Sequence, residues 1–195
     1  MARPKQFKES DILEKAVELF WKQGYHATSI QDLVDHLGVN RASLYGAFGD
    51  KQGLFEQALK NYQETNVAIM KDFLDQYDSV KEAFVALFQR GIEKAHKEEF
   101  TRGCFVINTT AALLPEEKEL LENLSTHKEL VENIFQSYLK KGMDQGEFSP
   151  SLHLPTAASL LFTLYSGLNL VSKLDQNTEQ MMQGVKASLA FLNPA

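Results

Sequence analysis

The chain lacks most of what would mark a secreted, membrane-spanning or metal-bound protein. It has a single cysteine, Cys104, so no internal disulfide can form, and a reducing compartment suits it. No CxxC, HExxH or comparable ligand spacing occurs, and no metal or other cofactor is implied. The opening residues, MARPKQFKESD, carry no apolar stretch of the kind that begins a secretory signal. No run of about 18 apolar residues is evident, so no membrane span is expected and the cytoplasm is the expected location. His26, His36, His96, His127 and His153 are scattered and expected to face solvent. No nucleophile, base or metal constellation stands at a defined spacing, so an enzyme is not expected. No proline- or glycine-rich linker, internal repeat or low-complexity tract breaks the chain.

What is present is helical periodicity in a chain that is 44% hydrophobic. Ile12, Leu13, Ala16, Val17, Leu19 and Phe20 give a first helix over about 10–23, stopped by Gly24. The stretch 28–55, TSIQDLVDHLGVNRASLYGAFGDKQGLF, reads as two short helices joined by a tight turn. Thr28 and Ser29 suit an N-cap, Ile30, Leu33, Val34 and Leu37 repeat at helical spacing, and Gly38 suits a residue at positive φ. Asn40 caps a second helix that buries Leu44 and Phe48 and leaves Arg41, Ala42, Ser43 and Tyr45 outward. A helix-turn-helix needs this arrangement, with one helix braced across the DNA backbone and the next free to enter the major groove. Arg41 can offer a donor pair to guanine, Ser43 can donate or accept, and Ala42 can touch a thymine methyl.

The net charge of −6 looks adverse for nucleic acid, but it is unevenly placed. Residues 1–60 hold eight basic and eight acidic side chains, so the deficit lies in the remainder. Arg3, Lys5 and Lys8 form a basic arm, and phosphate binding depends on local cations.

These residues carry a family resemblance. Leu33-Val34, Gly38-Val39, Leu44-Tyr45, Phe48, Lys51 and Leu54-Phe55, with Ile12, Ala16, Leu19-Phe20, Gly24-Tyr25 and Thr28 upstream, resemble the DNA-binding signature of TetR-family transcriptional regulators. The match covers about 50 residues at the amino end. The resemblance implies an all-α fold: a three-helix headpiece with a helix-turn-helix over 1–50, then a helical effector-binding and dimerisation domain over 51–195. It implies that Tyr45, Lys51, Thr28, Ser29 and the basic arm hold phosphates, leaving base contacts to Arg41, Ala42 and Ser43 beside the cap Asn40. Gly46 and Ala47 depart from the bulkier residues common there.

The body reads as further helices. A fourth helix, capped by Asp50, runs on towards Tyr77 and would connect headpiece to body mechanically. Others are expected over 80–96, from Pro115 to near Gly146, from Pro155 through TAASLLFTLYSGLNLVSKL, and from about Thr178. The segment 103–114, GCFVINTTAALL, allows a helix or a strand. A single headpiece reads few base pairs, so a homodimer on a palindromic double-stranded operator is expected. The resemblance places its interface on the last two helices, through Leu160, Leu161, Leu164, Gly167, Leu168 and Val171 with Met182, Val185, Leu189 and Leu192; the alternative is that these fill the monomer core. It also implies a small-molecule effector pocket, with Phe84, Phe88, Cys104, Phe105, Asn108, Phe135 and Tyr165 as candidate lining. Cys104 follows Arg102 and Gly103 at a possible helix start, where a thiolate would be favoured; it is either an electrophile or redox sensor or a small buried hydrophobe. The function expected is that of a repressor released from its operator by the effector, with a ligand-dependent activator or a thiol-based sensor as alternatives.

Overall fold

The computed structural model describes residues 8–96, 103–112, 117–174 and 177–193. Arg3 and Lys5 of the basic arm, and Arg102, lie outside the described residues. Among the described residues the chain is all-α. Its helices are α1 (Glu9–Gln23), α2 (Ile30–Leu37), α3 (Arg41–Phe48), α4 (Lys51–Leu74), α5 (Val80–His96), α6 (Phe105–Ala111), α7 (Lys118–Asp144), α8 (Leu154–Val171) and α9 (Thr178–Ser188), followed by a 3-10 turn, Leu189–Leu192. The segment that also allowed a strand is the short helix α6.

Contacts divide the chain into two compact units, Met1–Asn66 and Val67–Ala195, so the division falls inside α4 rather than at its start. The reason is local packing. Leu54, Phe55, Ala58 and Leu59 of α4 are all buried. The Phe55 ring stands edge-on to Phe20 of α1 at 5.0 Å and lies 4.7 Å from Tyr25, while Trp21 meets Tyr62 at 5.3 Å. Such aromatic pairs add about 0.5–1.5 kcal/mol each to the area they bury. Most of α4 therefore belongs to the headpiece.

The second unit packs around Phe84, Phe88, Ile92, Phe135, Leu139, Phe148, Ala158 and Leu161. Helix α8 packs on α5, α6 and α7, and α9 packs on α5. The amino end of α5 is capped from far along the chain. Glu147, in the loop after α7, accepts from the Ser79 hydroxyl at 2.6 Å and from the backbone N–H of Val80 and Lys81 at 2.9 and 3.0 Å.

Three expectations change here. Helix α8 is, among the described residues, long and apolar enough to cross a membrane, with mean hydropathy 1.3. Its scattered Thr, Ser, Tyr and Asn hid this from a count of consecutive apolar residues; here Ala157, Ala158 and Leu161 pack in the helical core while Leu160, Leu170 and Val171 stay exposed. His127 is buried at 8% on the inner face of α7, and that burial lowers its pKa. Of the residues assigned to a dimer face, Leu161, Val185, Leu189 and Leu192 are buried in the monomer core, because α8 packs on α5 and α7 and α9 packs on α5.

Candidate nucleic-acid interface

The turn between α2 and α3 is set by short-range caps. Ser29 and Asp32 form a reciprocal capping box: Ser29 N–H and hydroxyl donate to Asp32 Oδ2 at 2.8 and 2.6 Å, and Asp32 N–H donates to Ser29 Oγ at 3.1 Å. Those bonds from Ser29, hydroxyl first, hold the Asp32 carboxyl below its ordinary pKa. Gly38 ends α2 in the left-handed region at φ 68°, its N–H bonded to Val34 O at 3.0 Å. Asn40 Oδ1 then accepts from Ser43 N–H at 2.8 Å and starts α3. Asp50 repeats the device at α4, accepting from Gly53 N–H at 2.8 Å.

With both ends fixed, α3 buries Leu44 and Phe48 and turns Arg41, Ala42, Ser43, Tyr45 and Gly46 to solvent. Tyr45 is 39% exposed, so its ring is not spent on packing. Asn40 and Ser29 are exposed as well, although their side chains already serve as caps. A Cβ added at Gly46 would meet nothing within 4 Å, so nothing inside the protein requires glycine there.

Two expected phosphate ligands sit differently. Thr28 is buried at 1%, and its hydroxyl donates to Gly24 O at 2.7 Å, which leaves that side chain no face towards DNA. Lys51 is half-buried, donates from Nζ to Thr28 O at 2.8 Å and lies 4.3 Å from the centre of the Tyr25 ring. Burial lowers its pKa. Lys51 thus ties the start of α4 to the entry of α2, and two N–H bonds of its ammonium remain for another acceptor.

A cleft of about 390 Å³ opens beside the recognition helix, lined by Lys8, Asp11, Ile12 and Lys15 of α1 and by residues from Leu37 through Asn40 and Ser43. Lys15 was missed in the sequence reading. The signal was available, because Lys8 and Lys15 are one heptad apart and share a helical face.

In the second unit the candidate effector residues fall into two groups. Phe84 and Phe135 are wholly buried and meet edge-on at 5.4 Å, while Tyr165 meets Phe88 at 6.0 Å and Phe135 at 6.5 Å. Phe105 is buried without joining that core cluster. Cys104 and Asn108 are half-buried on α6, and Asn108 Oδ1 accepts a hydrogen bond from Lys173 Nζ. Burial pushes the Tyr165 phenol up to about 12, with the charge of Cys104 acting in the same direction. Lys173 had no part in the sequence reading.

Comparison with known proteins places this architecture. Residues 12–58 match the model for bacterial regulatory proteins of the tetR family, and residues 81–188 match that for the tetracyclin repressor-like C-terminal domain. The chain is 32% identical over 194 residues to the uncharacterized HTH-type transcriptional regulator YezE of Bacillus subtilis (strain 168), covering 99% of this chain and 100% of that one. It is 28% identical over 193 residues to the HTH-type transcriptional repressor ComR of Escherichia coli (strain K12), covering 93% and 87%. Among solved structures it is similar to a cysteine mutant of the TetR family transcriptional regulator CifR complexed with 26bp double-strand operator DNA. That match has a TM-score of 0.84 and 27% identity, over 96% of this chain and 98% of that one. The chain belongs to the TetR family of helix-turn-helix transcriptional regulators.

Proposed function

We propose that this chain is a repressor that binds a palindromic operator in the cytoplasm as a homodimer and leaves it when a small molecule enters the body. The observation that carries the reading is the outer row of α3. Arg41, Ala42, Ser43 and Tyr45 stand in solvent on a helix whose other side is pinned by Leu44 and Phe48. A donor pair from Arg41 to guanine is the leading base contact, and Ala42 and Ser43 read its neighbours. Tyr45, the spare donors of Lys51, and Lys8 and Lys15 on the cleft wall hold phosphates and set the register, as do Arg3 and Lys5. Ser29 supports them from the start of α2.

Dimerisation is supported by α8. Leu160, Leu170 and Val171 of the helix are 45–49% exposed, and Leu174 in the turn after it is 87% exposed. An apolar row of this size on a soluble regulator calls for a partner, and a second copy supplies the two-fold symmetry that a palindrome reads. Selection of bound duplexes from random sequence by the apo protein tests the proposal. A palindromic consensus supports it. Bound sequences without two-fold symmetry, or no selective binding by the apo protein, would end it; binding only with a ligand present would instead mean activation or co-repression.

A thiol-based variant of the same mechanism is favoured by one observation. Lys173 Nζ lies 3.2 Å from where a Cβ at Gly103, the residue before Cys104, would stand, and a cation beside a thiol favours the nucleophilic thiolate. Alkylated protein that still binds its operator as before excludes it.

A further inference from the structure

The headpiece contains five glycines, and the fold accounts for four of them. Gly24, Gly38 and Gly49 adopt φ of 81°, 68° and 83°, where side chains are rarely tolerated. Gly53, in the first turn of α4, has no room: a Cβ there would lie 2.3 Å from the Phe48 carbonyl oxygen, a backbone atom that cannot swing aside. Gly46 has neither reason. It lies inside α3 away from positive φ, is exposed, and a Cβ on it would meet nothing within 4 Å among the described residues. Glycine is the least favourable helix residue after proline, so α3 is weakened here with nothing gained inside the protein.

Gly46 also occupies the outermost point of the recognition helix. Successive side chains turn by about 100° round a helix, and Gly46 is two residues from both Leu44 and Phe48, the buried pair at 1% and 4% exposure. It therefore points almost directly away from the headpiece core, with exposed Ala42 one turn before it. On one flank Ser43 leads into the cleft whose walls carry Lys8 and Lys15, with Asp11 beside them. On the other flank stands the exposed Tyr45. Groups suited to phosphates thus bracket the line through Ala42 and Gly46, which leaves that line for the floor of the major groove.

The chemistry of that line selects what it can meet. Backbone N–H and C=O groups run along a helix axis rather than across it, so the surface at Gly46 offers a base neither donor nor acceptor. It offers the Gly46 Cα and the Ala42 methyl. The apolar group that base pairs project into the major groove is the thymine 5-methyl. We infer that Gly46 determines specificity: with Ala42 it forms a hollow in α3 that receives a thymine methyl in each half-site. This rests on the reading of α3 as the base-reading helix, and it names both the base and the residue that admits it.

The test removes one methyl from the DNA and adds one to the protein, using the full chain. Selection from random duplexes supplies a bound sequence, and its thymines are replaced one at a time by deoxyuridine, which lacks the 5-methyl group. Wild type should lose about fourfold in affinity at one thymine of each half-site, the worth of one buried methyl. Gly46→Ala should raise the thermal midpoint by a few degrees, because alanine is the better helix residue. It should nonetheless bind the thymine duplex at least about tenfold more weakly, with two half-sites affected, and recover most of that loss on the deoxyuridine duplex. Gly46→Leu should bind neither duplex tightly. Full affinity of Gly46→Ala for the thymine duplex, the same response of both proteins to deoxyuridine, or a lowered midpoint overturns the inference. A palindromic operator indifferent to Gly46→Ala leaves the repressor reading standing and removes this one. A consensus without two-fold symmetry, on which Gly46→Ala still exchanges thymine for deoxyuridine, does the reverse. If no duplex is selected, both fall.

Discussion

Helices α3 and α8 solve opposite problems with opposite patterns. The recognition helix is short, polar outside and apolar inside, and its geometry comes from bonds spanning three or four residues. Helix α8 is apolar on both sides over its second half, with Leu164 and Leu168 against the core and Leu170 and Val171 exposed, and what it touches lies tens of residues away in sequence. A pattern that can be read locally belongs to the part that meets a regular partner, duplex DNA. The two-sided apolar pattern belongs to the part expected to meet a second copy on one side and the body's own core on the other.

The sharpest way to break this contrast is to charge the outer side of α8. Leu160→Glu combined with Leu170→Glu should give a folded monomer by sedimentation, since both side chains are already exposed. Operator affinity should fall on the order of 10³-fold, because two tethered half-site contacts become one. A dimer that survives, or a monomer that binds equally well, would show that the outer row serves something else.

Next in size is the recognition helix. Arg41→Ala should cost about 1–3 kcal/mol of operator binding and relax preference at one base pair in each half-site. The thermal midpoint should hold, because Arg41 is exposed and makes no contact that fixes α3. A uniform loss over all sequences would move Arg41 from base reading to phosphate holding.

Lys51 separates two roles that look alike in sequence. Lys51→Met keeps the stem but removes the bond to the Thr28 carbonyl and the charge beside Tyr25. If the ammonium both staples the headpiece and meets a phosphate, the midpoint drops slightly, by about 1 kcal/mol of stability. The salt dependence of operator binding should also flatten, by about one counterion per headpiece. A flatter salt slope with unchanged melting would leave only the phosphate role.

How much was legible follows the same division. Gly38, Asn40 and Asp50 announce their caps within a few residues, so the helix-turn-helix and its outward row could be read from residue order. Lys51 could not be read as donating to Thr28, because a fold must bring residues 23 apart together first. The body was legible as helices and little more. Apolar residues lie on both sides of α8, so periodicity could not say that Leu161 goes in while Leu160 stays out. Burial of His127 and the meeting of Lys173 with Asn108, 65 residues apart, depend on packing that no local window contains.

Two carboxylate caps make that difference measurable. Asp32 caps α2 from three residues away, whereas Glu147 caps α5 from across the body, 68 residues from Ser79. Burial pushes the Glu147 carboxyl up, but the bonds from Ser79, Lys81 and Val80 and the charge of Lys141 outweigh it, so its pKa is lowered. A carboxyl whose folded pKa lies below its unfolded value stabilises the fold fully above the unfolded value and loses that contribution as pH falls through the folded one. Glu147→Gln should therefore cost the body about 1 kcal/mol at neutral pH, and the gap to wild type should close as pH drops below the ordinary value of 4.5. Chemical denaturation of both proteins across that range, followed through Tyr and Trp emission, measures it. Because Glu147 holds the α7–α8 loop onto the start of α5, the loss should appear as weaker packing of the second unit, with operator affinity at neutral pH nearly unchanged. A gap that stays constant with pH would mean the Glu147 carboxylate charge contributes nothing to the cap.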